Sequence, residues 1–284
     1  MVNLLFKENP AKWYENTHFG AKFRTRLLPQ LSMVYDLKWQ ERKERFNITN
    51  YSWIKKEKQY PSNRPDSSIF DFTNHRINIQ KLIIGYFFGI KYYADPDRYF
   101  YRQKETAPMV RLSLTHGFGS TVDRYDFLKF ELSLRKKIQW NAYGTSSFIL
   151  RGGSFLYKNS PAFSDITHFH GNETFIASES NYLNSFNLLP YYKRSTDKPY
   201  TTLHWEHNFI RFGVGSWPII KQLKANFIIS AHALMIEGAP SYGEWTVGLG
   251  NLGIGKIRGL RIDYVHALGD IIKKQGIVVS FKLF

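Results

Sequence analysis

The chain has 284 residues, 39 Lys and Arg against 23 Asp and Glu for a net charge of +16, and no cysteine. The lack of cysteine excludes a disulfide scaffold, a thiolate metal site and a cysteine nucleophile. The basic excess attracts anionic partners, either nucleic acid or an anionic lipid surface. A composition 43% hydrophobic, 17% aromatic and 22% charged spreads apolar residues along many strands rather than through one helical core.

Met1 to Pro10 has Lys7 and Glu8 where a secretory leader needs an unbroken apolar core, so the chain is either cytosolic or lacks its true beginning. Period-two alternation bounded by turn residues then predicts eleven strands, at 13–28, 31–45, 69–93, 108–118, 126–140, 145–156, 199–211, 222–236, 244–251, 257–267 and 276–284. The first is the clearest: Phe19, Ala21, Phe23 and Leu27 share one face, and His18, Lys22, Arg24 and Arg26 the other. Charge runs such as 42–45 and 55–58 read as solvated segments. The third strand is expected to bulge at Gln80-Lys81, where the apolar phase moves from Ile77 and Ile79 to Leu82, Ile84, Tyr86 and Phe88. Its apolar run Leu82 to Ile90 falls short of the roughly 18 residues of a membrane helix but matches the roughly 9–11 of a membrane strand. No helical period, heptad or linker interrupts the pattern, so 1–284 reads as a single domain.

The connections alternate in length. Pro29-Gln30, Asn141 to Gly144 and Gly253 to Lys256 are tight, whereas 46–68 and 157–198 are long; 94–107 is long where the alternation asks for a short turn. Outer-membrane barrels have short turns at one end and long loops at the other. Apolar faces such as Leu31/Met33/Tyr35/Leu37/Trp39, Leu128/Phe130/Leu132/Leu134 and Phe227/Ile229/Ala231/Ala233 run for about a bilayer thickness. Aromatics at Trp13-Tyr14, Trp39, Tyr92-Tyr93, Trp140, Tyr191-Tyr192 and Trp245 suit interfacial girdles. The last strand sets Ile277, Val279, Phe281 and Leu283 on one face and ends on Phe284.

The expected fold class is therefore all-β, an antiparallel up-and-down transmembrane β-barrel with 11 to 12 strands in this chain. Single-chain bacterial barrels have even strand numbers and leave no edge in lipid. Eleven strands thus point to the C-terminal part of a larger barrel; alternatively Asn181 to Tyr192 is a further strand and the barrel is self-contained. A soluble lectin-like module is the competing reading, because alternation alone does not separate the two.

The charged face sets Lys22, Arg24, Arg26, Lys38, Arg111, Lys129, Arg135, Arg261 and Lys282 against Asp36, Glu131, Glu206 and Asp263, a basic lining for a hydrated lumen. Glu206 is expected to pair with a lumen Arg or Lys, or with the long loop, as a latch. On a strand His204 and Glu206 face one side and His207 the other, so the three cannot chelate a metal together; no metal or cofactor is expected. Gly248 to Gly253 matches a dinucleotide fingerprint, but Val247 and Leu249 continue a strand and no helix follows. Ser230 and His232 share a polar face, and Ser113 or Ser133 also lie inward, which keeps a barrel hydrolase acting on lipid or surface glycan as the alternative. Bases and aromatics lie on opposite faces, which argues against nucleic acid.

Several stretches occur in an ordered series: Pro108-Met109-Val110-Arg111-Leu112 with Gly117, His170-Gly171-Asn172-Glu173, Phe186-Asn187-Leu188-Leu189 and Leu203-His204-Trp205-Glu206-His207-Asn208-Phe209. Trp217-Pro218-Ile219-Ile220-Lys221 with Leu223-Lys224, Gly248-Leu249-Gly250-Asn251 and Leu260-Arg261-Ile262-Asp263-Tyr264 follow. From Pro108 onward this series resembles the Bacteroidota outer-membrane family of domain of unknown function 5686, in which a carboxypeptidase-regulatory-like domain often precedes the barrel. Before Pro108 only the strand style matches, and Tyr192-Lys193-Arg194 departs from an expected acidic residue followed by Phe. More distantly, a long loop preceding an inward acidic residue, here 157–198 before Glu206, is similar to assembly and secretion barrels of the BamA type. The resemblance implies an outer-membrane location without an established activity. The expected function is transport, assembly or envelope architecture rather than catalysis. The expected partners are outer-membrane lipid and lipopolysaccharide, the barrel-assembly machinery for insertion, and an envelope protein.

Overall fold

The computed structural model describes residues 12–46, 51–54, 57–60, 62–63, 72–95, 98–103, 106–172, 176–209, 218, 224–254, 257–269 and 274–281. Eleven long strands carry the fold: β1 (Tyr14–Leu28), β2 (Leu31–Glu44), β3 (His75–Phe87), β6 (Met109–Phe118), β7 (Phe127–Gln139), β8 (Thr145–Lys158), β10 (Tyr200–Phe209), β11 (Asn226–Ile236), β12 (Tyr242–Ile254), β13 (Ile257–Leu268) and β14 (Gln275–Phe281). Three short ones, β4 (Ile90–Asp95), β5 (Arg98–Gln103) and β9 (Ile176–Ser178), complete the set among the described residues. The long strands pair antiparallel with their sequence neighbours in an up-and-down sheet ordered β1-β2-β3-β6-β7-β8-β10-β11-β12-β13-β14, and β9 adds in parallel along β14. Among the described residues β1 and β14 do not pair, so the sheet is open between them.

Three expectations are corrected. β3 pairs without interruption through Asp36↔Lys81 and Leu37↔Gln80 on one side and Lys81↔Thr115 on the other, so no bulge lies at Gln80-Lys81. Ile77 instead stays on the inward parity and is fully buried, in a region where Tyr125 and Phe127 are buried too. A β-carbon on Gly117 would lie 2.5 Å from Phe127 and 3.0 Å from Ile77, so the glycine leaves room for both side chains. The apolar phase changes because the inner face is covered at this end, not because the strand slips. The observed register breaks lie between Arg26 and Leu28, at Leu128/Lys129 and from Leu249 to Gly253. Residues 94–107 are not a plain loop: β4 and β5 form a separate two-stranded hairpin at the short-turn end. Residues 181–192 are not a twelfth strand; they continue a 3-10 turn, Glu179–Asn184, into the long connection between β8 and β10. Lys282, Leu283 and Phe284 lie outside the described residues.

That connection lies on one face of the sheet. Tyr182, Phe186, Leu188 and Leu189 form a core with Leu234, Tyr242, Val265, Ala267 and Val278 of β11 to β14. Phe163 and Ile166 meet Phe72 in a second cluster. This covered side is the inner face. At the short-turn end the chain reverses tightly: Trp140 N–H donates to Gly144 O at 2.9 Å across a turn in which Asn141 takes a left-handed φ of 51°.

Phe127→Ala removes a ring that is 1% exposed and should cost about 3–5 kcal/mol in equilibrium urea unfolding. Phe19→Ala, at a site 80% exposed on the opposite face of β1, should change the same measurement by less than about 0.5 kcal/mol.

Candidate functional site

Registered pairing sorts side chains by parity, and burial then runs opposite to that of a water-soluble sheet. Along β10, Thr202 and His204 are 3% and 2% exposed whereas Leu203 between them is 44% exposed. Ser230, Thr246, Asp263 and Ser280 are fully buried on the inner face, while Trp245, Ile262, Tyr264, Ile277 and Phe281 stand exposed on the other. Trp245 and Tyr264 meet on that outer face with ring centroids 5.8 Å apart and planes tilted by 58°.

The buried polar residues act chiefly as anchors for the long loop. Arg261 donates from Nη1 to Glu206 Oε2 at 2.6 Å and from Nε to Asp263 Oδ2 at 2.7 Å, and its guanidinium lies 3.9 Å from the Tyr182 ring centre. A cation and two carboxylates withdrawn from water are tolerable only because each charge finds its opposite at hydrogen-bond distance. Gly248 makes the space: a β-carbon there would sit 2.1 Å from Asp263 Oδ1. This, with the strand that follows, explains the glycine-rich run that imitates a nucleotide fingerprint. Earlier on the same strand as Gly248, Glu244 accepts the backbone N–H groups of Asn187 at 2.6 Å and Leu188 at 2.8 Å, together with the Tyr242 hydroxyl. Phe186, next in the loop, packs on His204 and Tyr242 at 4.9 and 5.5 Å between centroids.

A third anchor holds the start of the loop. Arg42 donates to Asp165 Oδ2 at 2.6 Å and Ser164 Oγ at 2.9 Å, and is itself oriented by two bonds to Gln40 Oε1. Lys158 pairs with Asp197 across the loop's ends. His168 bridges within the loop, with Nε2 2.8 Å from Phe163 O and Nδ1 2.7 Å from Ser195 Oγ. Those partners suit the tautomer that donates to the carbonyl and accepts from the hydroxyl. Burial holds this imidazole down at about 4.

The charged residues predicted from sequence fall into separate groups rather than one site. Lys22 and Lys38 share Asp36 at 3.6 and 3.2 Å near the open edge. Lys129 lies 3.6 Å from Glu131, which also accepts the Tyr200 hydroxyl at 2.9 Å. Glu206, Arg261 and Asp263 form the latch expected of Glu206. Arg24 and Arg26 stand exposed on β1, Arg135 is exposed on β7, and Phe281 is half-exposed on the outer face. Sequence reasoning missed Glu244, Arg151 and the Arg42–Asp165 pair. Glu244 and Arg151 continue the polar parity of β12 and β8, which was the available signal; the loop partner of Arg42 carries no periodic signal at all.

Ser230 hydrogen-bonds Thr246, not His232, whose Nδ1 faces His204 Nδ1 at 2.9 Å. His207 lies on the outer parity, 2.7 Å from Ser146 Oγ, apart from His204 and Glu206. Between the loop and the wall formed by β3 to β10 lies a cavity of about 300 Å³, lined by Lys81, Arg111, Ser113, Glu131, Ser133, Arg151, His170, Tyr200, Thr202 and His204 among others.

Arg261→Met leaves Glu206 and Asp263 without their shared cation and should cost about 3–5 kcal/mol, with faster protease cleavage within 157–198 as the direct sign of a released loop. His168 gives that docking a pH dependence. Its depressed docked value means that stability is fully present above about 6.5 and is lost as pH falls through about 4, by on the order of 3 kcal/mol. Hydrogen-exchange protection across 163–170, taken relative to the intrinsic rate at each pH, should therefore fall between pH 6.5 and 4 in the native chain, and His168→Gln should flatten that profile.

The family model described as the C-terminal domain of a family of unknown function (DUF5686) matches residues 1–249. The match begins well before Pro108, so the first strands are part of the family pattern and not merely similar in style. No curated protein matches the chain. With its all-β up-and-down sheet and a family model spanning most of its length, the chain belongs to the DUF5686 family, as its C-terminal domain.

Proposed function

We propose that this domain is the lipid-embedded wall of an outer-membrane β-barrel in a Gram-negative envelope, of the Bacteroidota type its motifs resemble. Its role on this reading is transport, assembly or envelope architecture, with no catalytic step. The observation that carries the reading is inverted burial: Leu, Ile, Trp and Phe side chains are exposed on the outer face while Ser, Thr, His, Asp and Arg are buried inside. A soluble protein rarely leaves a contiguous apolar surface of that kind uncovered, whereas a barrel wall requires it. Long loops at one end and short turns at the other support the same orientation. The outer face meets lipid and lipopolysaccharide, and the basic excess suits their anionic groups. Insertion then falls to the barrel-assembly machinery, and the edge of β1, with the part of β14 that β9 leaves unpaired, needs strand partners, because unpaired backbone groups are not tolerated in hydrocarbon. Ser230 lies against Thr246 beneath the loop, which favours a structural part over a nucleophile.

Membranes from cells producing the full-length protein should retain it through an alkaline carbonate wash and release it only with detergent; release by carbonate alone would overturn the reading. Leu132→Arg, in the middle of β7 on the outer face, should cost about 2–4 kcal/mol in a lipid-refolding assay, the penalty for a cation at the bilayer midplane.

A further inference from the structure

We infer that the cavity between the long loop and the β3–β10 wall is a binding site for a phosphate-bearing anion. Pairing sets Arg111 of β6 and Arg151 of β8 on either side of Ser133, in one row across three strands. Their backbones are thus two strand spacings, roughly 10 Å, apart and on the same face. Lys81 enters from β3 and His170 from the loop. The side chains of Lys81, Arg111 and Arg151 form no hydrogen bond or ion pair with a described residue, and Glu131, the one carboxylate among the lining residues, is already engaged by Lys129 and Tyr200. Elsewhere on this face, buried arginine is matched: Arg42 has Asp165, and Arg261 has Glu206 and Asp263. Lys81 and Arg151 are half-buried and Arg111 is exposed to the cavity, so three cationic side chains converge on one space with no carboxylate of their own.

A second observation is independent of charge. The hydroxyls of Ser113 and Thr202, 8% and 3% exposed, line the same cavity and have no hydrogen-bond partner. A buried hydroxyl without a partner is costly, and a ligand oxygen supplies what both lack. Two guanidinium forks, an ammonium and two hydroxyls suit a group with several anionic oxygens, which is phosphate rather than a neutral glycan. At about 30 Å³ per water, the volume holds roughly ten waters, enough for a phosphate and an attached group. The source is either a free phosphorylated solute or the headgroup of a phosphorylated lipid.

Titration calorimetry on the full-length protein in non-ionic detergent and phosphate-free buffer tests this, with inorganic pyrophosphate as one probe and short-chain dihexanoyl phosphatidate as the other. Binding of pyrophosphate assigns a free solute, and binding of phosphatidate alone assigns a lipid headgroup. Arg111→Met/Arg151→Met should weaken the bound probe at least tenfold, and Ser113→Ala should weaken it with the fold intact, whereas Lys22→Met at the open edge should leave it unchanged. No binding of either probe to the native protein would overturn the proposal, as would equal binding by the native and double-variant proteins. The site does not depend on what covers the outer face, so its failure is distinguishable from carbonate extraction of the protein.

Discussion

Registered antiparallel pairing over eleven long strands commits each side chain to one of two faces, and the rest of the molecule follows from that commitment. Pleated strands alternate strictly, so a polar residue on the inward parity must be matched inside or bear the cost of losing water. The inner face meets this demand in two ways. Polar residues pair with each other across neighbouring strands, as Ser230 does with Thr246 and His204 with His232. Others are answered by the long loop, whose backbone amides cap Glu244 and whose Tyr182 covers Arg261.

The loop is therefore a structural part of the wall rather than an appendage. Its apolar residues complete a core that the inner face of β11 to β14 cannot form alone, and its charges meet Arg42 at the other side of the sheet. β9 lies parallel along β14, so the same segment also occupies one free edge. Residues 182–189 of the loop lie over β11 to β14, and the cavity remains towards β3, which places the cations of Lys81, Arg111 and Arg151 where space remains. Charge is neutralised where carboxylates of the sheet or the loop reach it, as at Arg261, Arg42, Lys38 and Lys129, and retained around the cavity.

The strands were legible because period two is a local property of the chain. Each of the eleven predicted segments overlaps a long strand, although the third, 69–93, ends as β3 at Phe87 and its last residues belong to β4 of the separate hairpin; the parity that sets Phe23 apart from Lys22 holds in the sheet. The latch at Glu206 was legible in part, since an inward carboxylate in a basic lining needs a cation. The supposed bulge at Gln80-Lys81 was misread because Ile77 looks out of phase when the inner face is taken to be polar throughout. Covered by neighbouring aromatics at the long-loop end, that stretch is core. The hairpin of β4 and β5 escaped notice because it pairs apart from the main sheet, and nothing in its composition says so.

The amino-acid sequence by itself determined the strand positions, the two-faced alternation and the asymmetry of long and short connections, because each depends on residues within a few positions of one another. Only the tertiary structure decided which inward residues meet. Glu244 lies 57 residues from Asn187, Arg261 55 from Glu206, and Arg42 123 from Asp165. These contacts are set by the lateral register of the sheet and the path of the loop across it, and neither leaves a period in the chain.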